Sequence, residues 1–524
     1  RKTAITMTPT LRRPRAARAV LSATAVCVLA LTGCSSEPTD AEGSAGAPAA
    51  SGADTTLRYA VAGSPATASD DPHGGLGNES DVLRFALVYD VLTVHGDDGG
   101  AEPRLATAWE PNDTLDLWTF TLRDDAEFTD GEPVRAEDVL HSLRRIGAKA
   151  AENYGRLADF DLENSRVVDE HTVELATRVP MANAPVALAS ITFVVPEGTE
   201  DFTGEVPGSG PYRVEESAAD TAVLVRNDGW WGGTPDPERI EIRALADPQT
   251  RVDALLSGAV DVAGSVAPTA VASAEEKDMR VVRRSGVTTY PFIMRTDTAP
   301  FDDPRVREAF RLAADREELV DTVFLGYGDV ANDLPTPHDP STPTDLPQRE
   351  HDVETARELL AEAGHGDGLT VTLHTTTSYP GMDTAATLYA RQLQEIGVTA
   401  EVSVEPADDY WTTVYAQKPF YTGYYGGISF ADLVRVGLLS ESPTNETAYR
   451  SEEFDRGFEE AMATSDEARR DELLADIQRE LWEDGGYVVW GTGDGIDLAA
   501  PHVHDLPDGP GFQRMFIDRV RLEG

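Results

Sequence analysis

The sequence predicts a mixed α/β protein, on three observations. Trp118, Phe120 and Leu122 alternate with Thr119 and Thr121, the period of a half-buried strand. Soon afterwards Val139, Leu143 and Ile146 fall at i, i+4 and i+7, one face of a helix. Further on, a helical stripe of Leu388, Tyr389, Leu393 and Ile396 stops at Gly397, and Val398, Ala400, Val402 and Val404 then alternate as a strand. Such succession, without internal repeats, builds layered α/β lobes.

Taken from the amino end, Arg12, Arg13, Arg15 and Arg18 precede the apolar run Ala19 to Leu31, broken only by Ser22 and Thr24. Positive residues before an apolar run too short to cross a membrane comfortably are the mark of an export signal. The run stops at Leu31-Thr32-Gly33-Cys34, which resembles the bacterial lipoprotein cleavage box. Residues 1–33 are therefore expected to be removed and Cys34 to be lipidated, tethering the chain to the extracytoplasmic face of the cell membrane. Met7 stands where translation is expected to begin, with Arg1 to Thr6 upstream of it. Cys27 leaves with the signal, so no disulfide and no thiolate metal site are expected. Residues 34–54 are rich in Ser, Ala, Gly, Pro and acids and lack large apolar side chains, so they read as a flexible linker.

A chain of 524 residues exceeds one ordinary hydrophobic core and predicts several lobes. The formal charge of −48 becomes −54 once residues 1–33, with six cations and no acid, are set aside. Nucleic acid and anionic headgroups would repel such a surface, which excludes nucleic acid as a partner. No second apolar run approaches membrane-spanning length.

Along the body of the chain, the helix carrying Val139 opens with Glu137 and Asp138 and closes near Arg144 and Arg145, which suits the helix dipole. Asp303 and Pro304 form an N-cap and first helical position, ahead of the face of Val306, Phe310 and Ala313. Asp315 and Glu318 have capping-box spacing before Leu319, Val320 and Val323, and Gly326 is the expected stop. The run Gly491-Thr492-Gly493-Asp494-Gly495 lacks the following helix that a phosphate cradle requires and reads as a turn. His502, His504 and Asp505 read as surface or turn residues, not a metal grip. There is no phosphate-binding Gly-Lys-Ser/Thr loop and no His-Glu-x-x-His. Acids are too numerous for spacing to single out a glycosidase pair, so neither an enzyme nor a cofactor is predicted.

Pro103-Arg104-Leu105-Ala106 through Trp109, Thr119 to Asp124, Phe128-Thr129-Asp130-Gly131-Glu132-Pro133 and Ala136 to Val139 closely resemble the solute-binding proteins of family five. These are the extracytoplasmic receptors of peptide and nickel ABC importers. Asp71-Pro72-His73, Gly208 to Tyr212, Arg226-Asn227 with Trp230-Trp231, Pro300 to Asp303, Val306 to Ala309 and Asp315-Arg316-Glu317 match in the same order. The resemblance implies a fold like the type II periplasmic-binding proteins, two main lobes around a hinge with an inserted third domain. By analogy lobe one takes residues 55–93, 205–290 and 489–524, lobe two takes 94–204, and lobe three takes 291–488.

The same resemblance implies a binder that closes on solute and docks on an ABC permease with its ATPase. Peptide is the expected solute, ahead of nickel chelates and oligosaccharides. A secreted hydrolase is the alternative from another class. Blocks such as Phe128 to Val139 are expected to build lobe two and domain seams. Ligand contacts are implied for Gly75, Leu76 and Gly77, for Ser378 and Tyr379 after the strand Val371 to Leu373, and for the segment Phe420 to Asp432. In that segment Tyr424 and Tyr425 offer stacking surface and hydroxyls, and Gly426 and Gly427 allow close backbone approach. Gly427 stands where peptide binders commonly place an ammonium-binding aspartate, which leaves Asp432 as the candidate substitute. No arginine stands at Ser378-Tyr379-Pro380 for a ligand carboxylate.

Overall fold

The computed structural model describes residues 55–523 except 76, 97–98, 150–156, 190–191, 378, 407–409 and 510. The signal segment, Cys34, the linker, Leu76 and Ser378 lie outside the described residues.

The strand predicted around Phe120 spans Leu117–Leu122, with Trp118, Phe120 and Leu122 buried and Thr121 exposed. It pairs antiparallel with Ala106–Pro111 and Thr172–Thr177, and Phe160–Asp169 completes a four-stranded sheet. Helix Ala136–Ala148 lays Val139, Leu143 and Ile146 on that sheet, in a core of its own. The Asp138 carboxylate accepts from the Arg135 N–H at 2.7 Å and from the Glu197 N–H at 2.7 Å, so this acid is spent on capping and on a neighbouring loop.

The larger sheet runs through the rest of the molecule. Its order is Val398–Glu405, Leu369–Thr376, Phe420–Thr422, Arg280–Met294, Tyr487–Ala499, Val262–Ala263, Thr56–Val61, Arg239–Ala244, Thr221–Arg226 and Tyr212–Ala218. Thr56–Val61 is parallel to both of its neighbours, and Leu369–Thr376 is parallel to Val398–Glu405. Cores therefore gather at two ends. One, around Leu57, Tyr59 and Val61, takes in residues from Val82–Val91, Phe193–Ile242 and Val503–Val520. The other, around Phe292, Phe310, Tyr389 and Trp490, is drawn from residues 290–490.

The two long strands Arg280–Met294 and Tyr487–Ala499 run mid-sheet between these ends. They pair antiparallel from Arg280 with Ala499 to Ile293 with Tyr487, and the register breaks between Arg284 and Thr288.

Three local expectations are corrected. Gly491 to Gly495 is not a turn but the interior of strand Tyr487–Ala499. Glycine recurs there because neighbours lie close: a Cβ on Gly491 would stand 2.8 Å from Val320 Cγ2, and one on Gly493 3.0 Å from Phe324 Cε1. Helix Arg316–Phe324 is closed by Leu325, itself left-handed at φ 54°, one residue before Gly326. Asp315 caps the Glu318 N–H at 3.0 Å, but its own N–H goes to Gln392 Oε1 at 3.1 Å, so the capping box is half formed.

The blocks that carried the family resemblance form a seam. Asp90 accepts from Arg104 Nε at 2.9 Å and from Trp231 Nε1 at 2.8 Å, and the Arg123 guanidinium lies 3.4 Å over the Trp231 ring. Asp71 takes Arg145 through both oxygens, at 2.6 and 2.7 Å, and Lys149 at 2.5 Å. Burial alone would raise the Asp71 pKa, but these cations hold it well below the usual carboxylate range. The small-sheet body is thereby clamped to the amino-terminal core.

Candidate functional site

The register break in the two long strands lies between two walls of polar and aromatic side chains. On the carboxyl-terminal side, Tyr425–Gly426 pairs antiparallel with Thr288–Thr289 just past the break. Tyr424 stacks face to face on Tyr379, with ring centroids 3.8 Å apart and planes 11° apart. The Tyr379 hydroxyl meets Thr288 Oγ1 at 3.1 Å, and Tyr290 donates to the Pro380 carbonyl at 3.2 Å. Burial raises the Tyr379 pKa, so the ring presents a neutral phenol. Trp411, 38 % exposed, packs edge-on against Tyr424 at 5.4 Å. Gly426 and Gly427 are exposed; Gly427 has φ 55°, and a Cβ on Gly426 would meet nothing within 4 Å.

Two members of the predicted segment face elsewhere. Tyr425 opens the strand and goes to partners other than those of Tyr424: its hydroxyl donates to the buried Glu446 carboxyl. Tyr487 donates to the same Glu446 oxygen at 2.5 Å. Burial raises the Glu446 pKa, against the lowering effect of these hydrogen bonds. Asp432 is taken up by Ser429 Oγ at 2.8 Å and Arg435 Nη1 at 2.8 Å, so its charge already has a partner. Arg435 in turn reaches Asp159 at 2.5 Å and Asn183 at 3.0 Å, both on the small-sheet body.

On the amino-terminal side, Gly75 and Gly77 are exposed in the loop before helix Glu79–Val88. Asn78 braces this loop, accepting from the Ser64 N–H at 3.1 Å and Thr67 Oγ1 at 2.7 Å and donating to Asp81 at 3.1 Å. Glu79 accepts from Ser265 Oγ at 2.9 Å and pairs with Arg514 at 2.5 Å. Asp497, on the second long strand, accepts from the Ser265 N–H at 2.7 Å and the Tyr59 hydroxyl at 3.3 Å, and is paired with Arg284. Burial would raise the Asp497 pKa, but Arg284 keeps it below the ordinary value. Ser265 sits at φ 52°, a backbone state a serine adopts only when its surroundings fix it.

Glu79, Ser265, Thr288, Glu446, Asp497 and Arg514 were not singled out in the sequence. No periodic or motif signal marks them. His502 and His504 go to separate partners, Asp261 at 3.5 Å and Glu523 at 3.3 Å, and among the described residues no three metal-capable side chains converge. No described helix is long and apolar enough to cross a membrane. A recess of about 400 Å³ on the small-sheet body, lined by Arg144, Leu157, Phe160 and Arg178 among others, touches none of the predicted site residues.

Two cores with one pair of long strands running between them fit the multi-domain architecture of the hinged binding proteins, and comparison with known proteins agrees. The family model of bacterial extracellular solute-binding proteins, family 5 (middle), matches residues 100–436, more than half of the chain. The nickel-binding periplasmic protein of Escherichia coli is 26% identical over 487 residues, covering 84% of this chain and 90% of that protein. The glutathione-binding protein GsiB of Salmonella typhimurium is 26% identical over 407 residues, covering 73% of this chain and 79% of that protein. Among solved structures, the periplasmic binding protein DppA of Helicobacter pylori, in complex with the peptide STSA, superposes with a TM-score of 0.74. It is 21% identical and covers 90% of this chain and 98% of that one. The chain belongs to family 5 of the bacterial extracellular solute-binding proteins, which serve ABC importers.

Proposed function

We propose that this protein is the lipid-anchored receptor of an ABC importer and that its solute is a peptide. The observation that carries the reading is the pair of facing walls at the strand break: Tyr379 stacked on Tyr424 on one side, Glu79 with Arg514 and Asp497 on the other. Aromatic faces with a few fixed polar groups suit a peptide, which offers backbone oxygens and side chains together. The peptide-bound relative of the same fold and the glutathione-binding relative support that choice.

In this reading lobe one comprises residues 55–93, 205–290 and 489–524, lobe two 94–204 and lobe three 291–488. The bodies swing about the register break between Arg284 and Thr288. Solute contacts Gly75, Leu76 and Gly77 from one side and Ser378, Tyr379, Tyr424, Gly426 and Gly427 from the other. Contacts completed only on closure shift the population to the closed form, which the permease and its ATPase partner receive. The lipid on Cys34 and the linker to residue 54 hold the receptor at the extracytoplasmic membrane face, within reach of that permease.

The nickel-binding relative favours a second reading, a nickel chelate. One experiment separates them. A peptide digest, a set of oligosaccharides and nickel with and without histidine are screened by thermal shift, since a bound solute raises the melting temperature by mass action. A rise with peptide alone is expected, together with compaction in small-angle scattering. A rise with nickel–histidine alone overturns the peptide reading, and turnover of a bound peptide or glycoside would mark a hydrolase instead.

A further inference from the structure

Around Ser265 the amino-terminal core draws in guanidinium groups as well as carboxylates. Arg251 and Arg284 are buried there, and the Arg514 side chain is 14% exposed. Arg251 spends its donors on the carbonyls of Gly264, Leu245, Ala246 and Ser265 and has no carboxylate partner among its hydrogen bonds. Asp247, whose charge Arg251 also feels, is an exposed helix cap and is screened by solvent. Arg284 is matched by Asp497, and Arg514 by Glu79.

Arg514 is also incompletely satisfied. It stands in the short turn Gly511–Met515, held by Gln513 donating to the His95 carbonyl. Its Nη2 pairs with Glu79, whereas its Nη1 is buried without an acceptor. A buried guanidinium N–H left unpaired costs free energy that an oxygen placed there would recover. The position lies beside the strand break: Glu79 meets Ser265, Ser265 meets Asp497, and Asp497 pairs with Arg284 at the edge of the break whose far side carries Thr288, the partner of the Tyr379 hydroxyl.

We propose that Arg514 is the anchor for a carboxylate of the solute, a specificity residue on the wall opposite Tyr379 and Tyr424. A carboxylate oxygen on Nη1 satisfies the orphaned donor. It also supplies the partner for a ligand carboxylate that Ser378-Tyr379-Pro380 lacks. Glu79 stays on Nη2 and fixes the plane of the guanidinium.

The inference rests on the peptide reading, and the test separates the two. Wild type, Arg514→Lys and Arg514→Met are each offered a tryptic digest of casein and the same digest after methyl esterification. Capture is read by native mass spectrometry and by competition affinity. Because Arg514→Met leaves Glu79 without its partner, Arg514→Met with Glu79→Gln serves as the second variant.

Wild type is expected to prefer the free acids by about tenfold or more, the range for one charge-assisted hydrogen bond in a shielded site. Arg514→Lys retains part of the preference, and both methionine variants lose it while still binding. Equal capture of acids and esters by wild type, or an undiminished acid preference in the methionine variants, overturns the anchor alone. Capture of neither pool by wild type overturns the peptide reading, and the anchor with it.

Discussion

Arg435→Met is expected to loosen the closed state without touching the solute. Arg435 joins the carboxyl-terminal core to the small-sheet body through Asp159 at 2.5 Å and Asn183 Oδ1 at 3.0 Å, and stays on its own side through Asp432 at 2.8 Å. The Arg435 and Asp159 side chains are 18% and 26% exposed, so the pair is shielded but not dry. A charge-assisted hydrogen bond is worth about 1.5–3 kcal/mol, and solvent screening lowers that for a partly exposed pair. Loss of both cross-body bonds then costs about 1–2 kcal/mol, and methionine keeps the packing on Phe458. The backbone bond from Ala182 N–H to the Met462 carbonyl, 3.0 Å, remains. If these contacts form on closure, solute affinity falls by about 5- to 30-fold, since 1.4 kcal/mol is a factor of ten. Calorimetry with a captured peptide reads the affinity, and small-angle scattering reads the shift toward an extended form at subsaturating peptide. Combining Arg435→Met with Asp159→Asn should add less than the two single effects. Unchanged affinity together with an unchanged scattering profile would refute the reasoning.

Asp497→Ala should lower stability by about 3–5 kcal/mol, because it strands the buried Arg284 guanidinium. Replacing both partners, as Arg284→Met with Asp497→Leu, should recover most of that in denaturant unfolding; a single-variant loss below about 1 kcal/mol would count against the pair. Tyr425→Phe removes a hydroxyl from Glu446 and should cost about 1 kcal/mol in unfolding while peptide affinity stays within about twofold. A larger affinity loss would return Tyr425 to the cleft. His73 is buried with Nε2 2.8 Å from the Phe193 carbonyl, and burial pushes its pKa down to about 4 from 6.5. The unfolded chain binds that proton first as pH falls, so the stability it gives above 6.5 is lost toward pH 4, by about 2 kcal/mol between pH 7 and 4.5. Urea unfolding of wild type and His73→Asn at the two pH values should differ in slope by that amount, and parallel slopes would remove His73 as the cause.

Elements whose local pattern agrees with their packing were legible in the sequence. Helix Ala136–Ala148, the Asp303 cap and strand Val398–Glu405 follow from periodicity and capping alone. Gly491 to Gly495 was misread because glycine propensity is local, whereas the need for bare backbone under Phe324 is tertiary. The aromatic segment stood out by composition, but composition does not say which ring turns inward, and Tyr425 does, onto Glu446. The charged wall was not legible at all: Glu79 and Arg514 come from opposite ends of the chain, and only the finished sheet brings them together.

The two long strands have a consequence for how the chain is made. Thr56–Val61 is the first described strand to leave the ribosome, yet it pairs with Arg239–Ala244 and Val262–Ala263, and Val262–Ala263 pairs in turn with Leu498 and Ala499. Until Tyr487–Ala499 is synthesised, Val262–Ala263 is an open sheet edge of the amino-terminal core. Contacts this distant in sequence form slowly, because the loop must close before the pairing stabilises anything. The topology carries with it a partly folded form that is open to misassembly at its sheet edge.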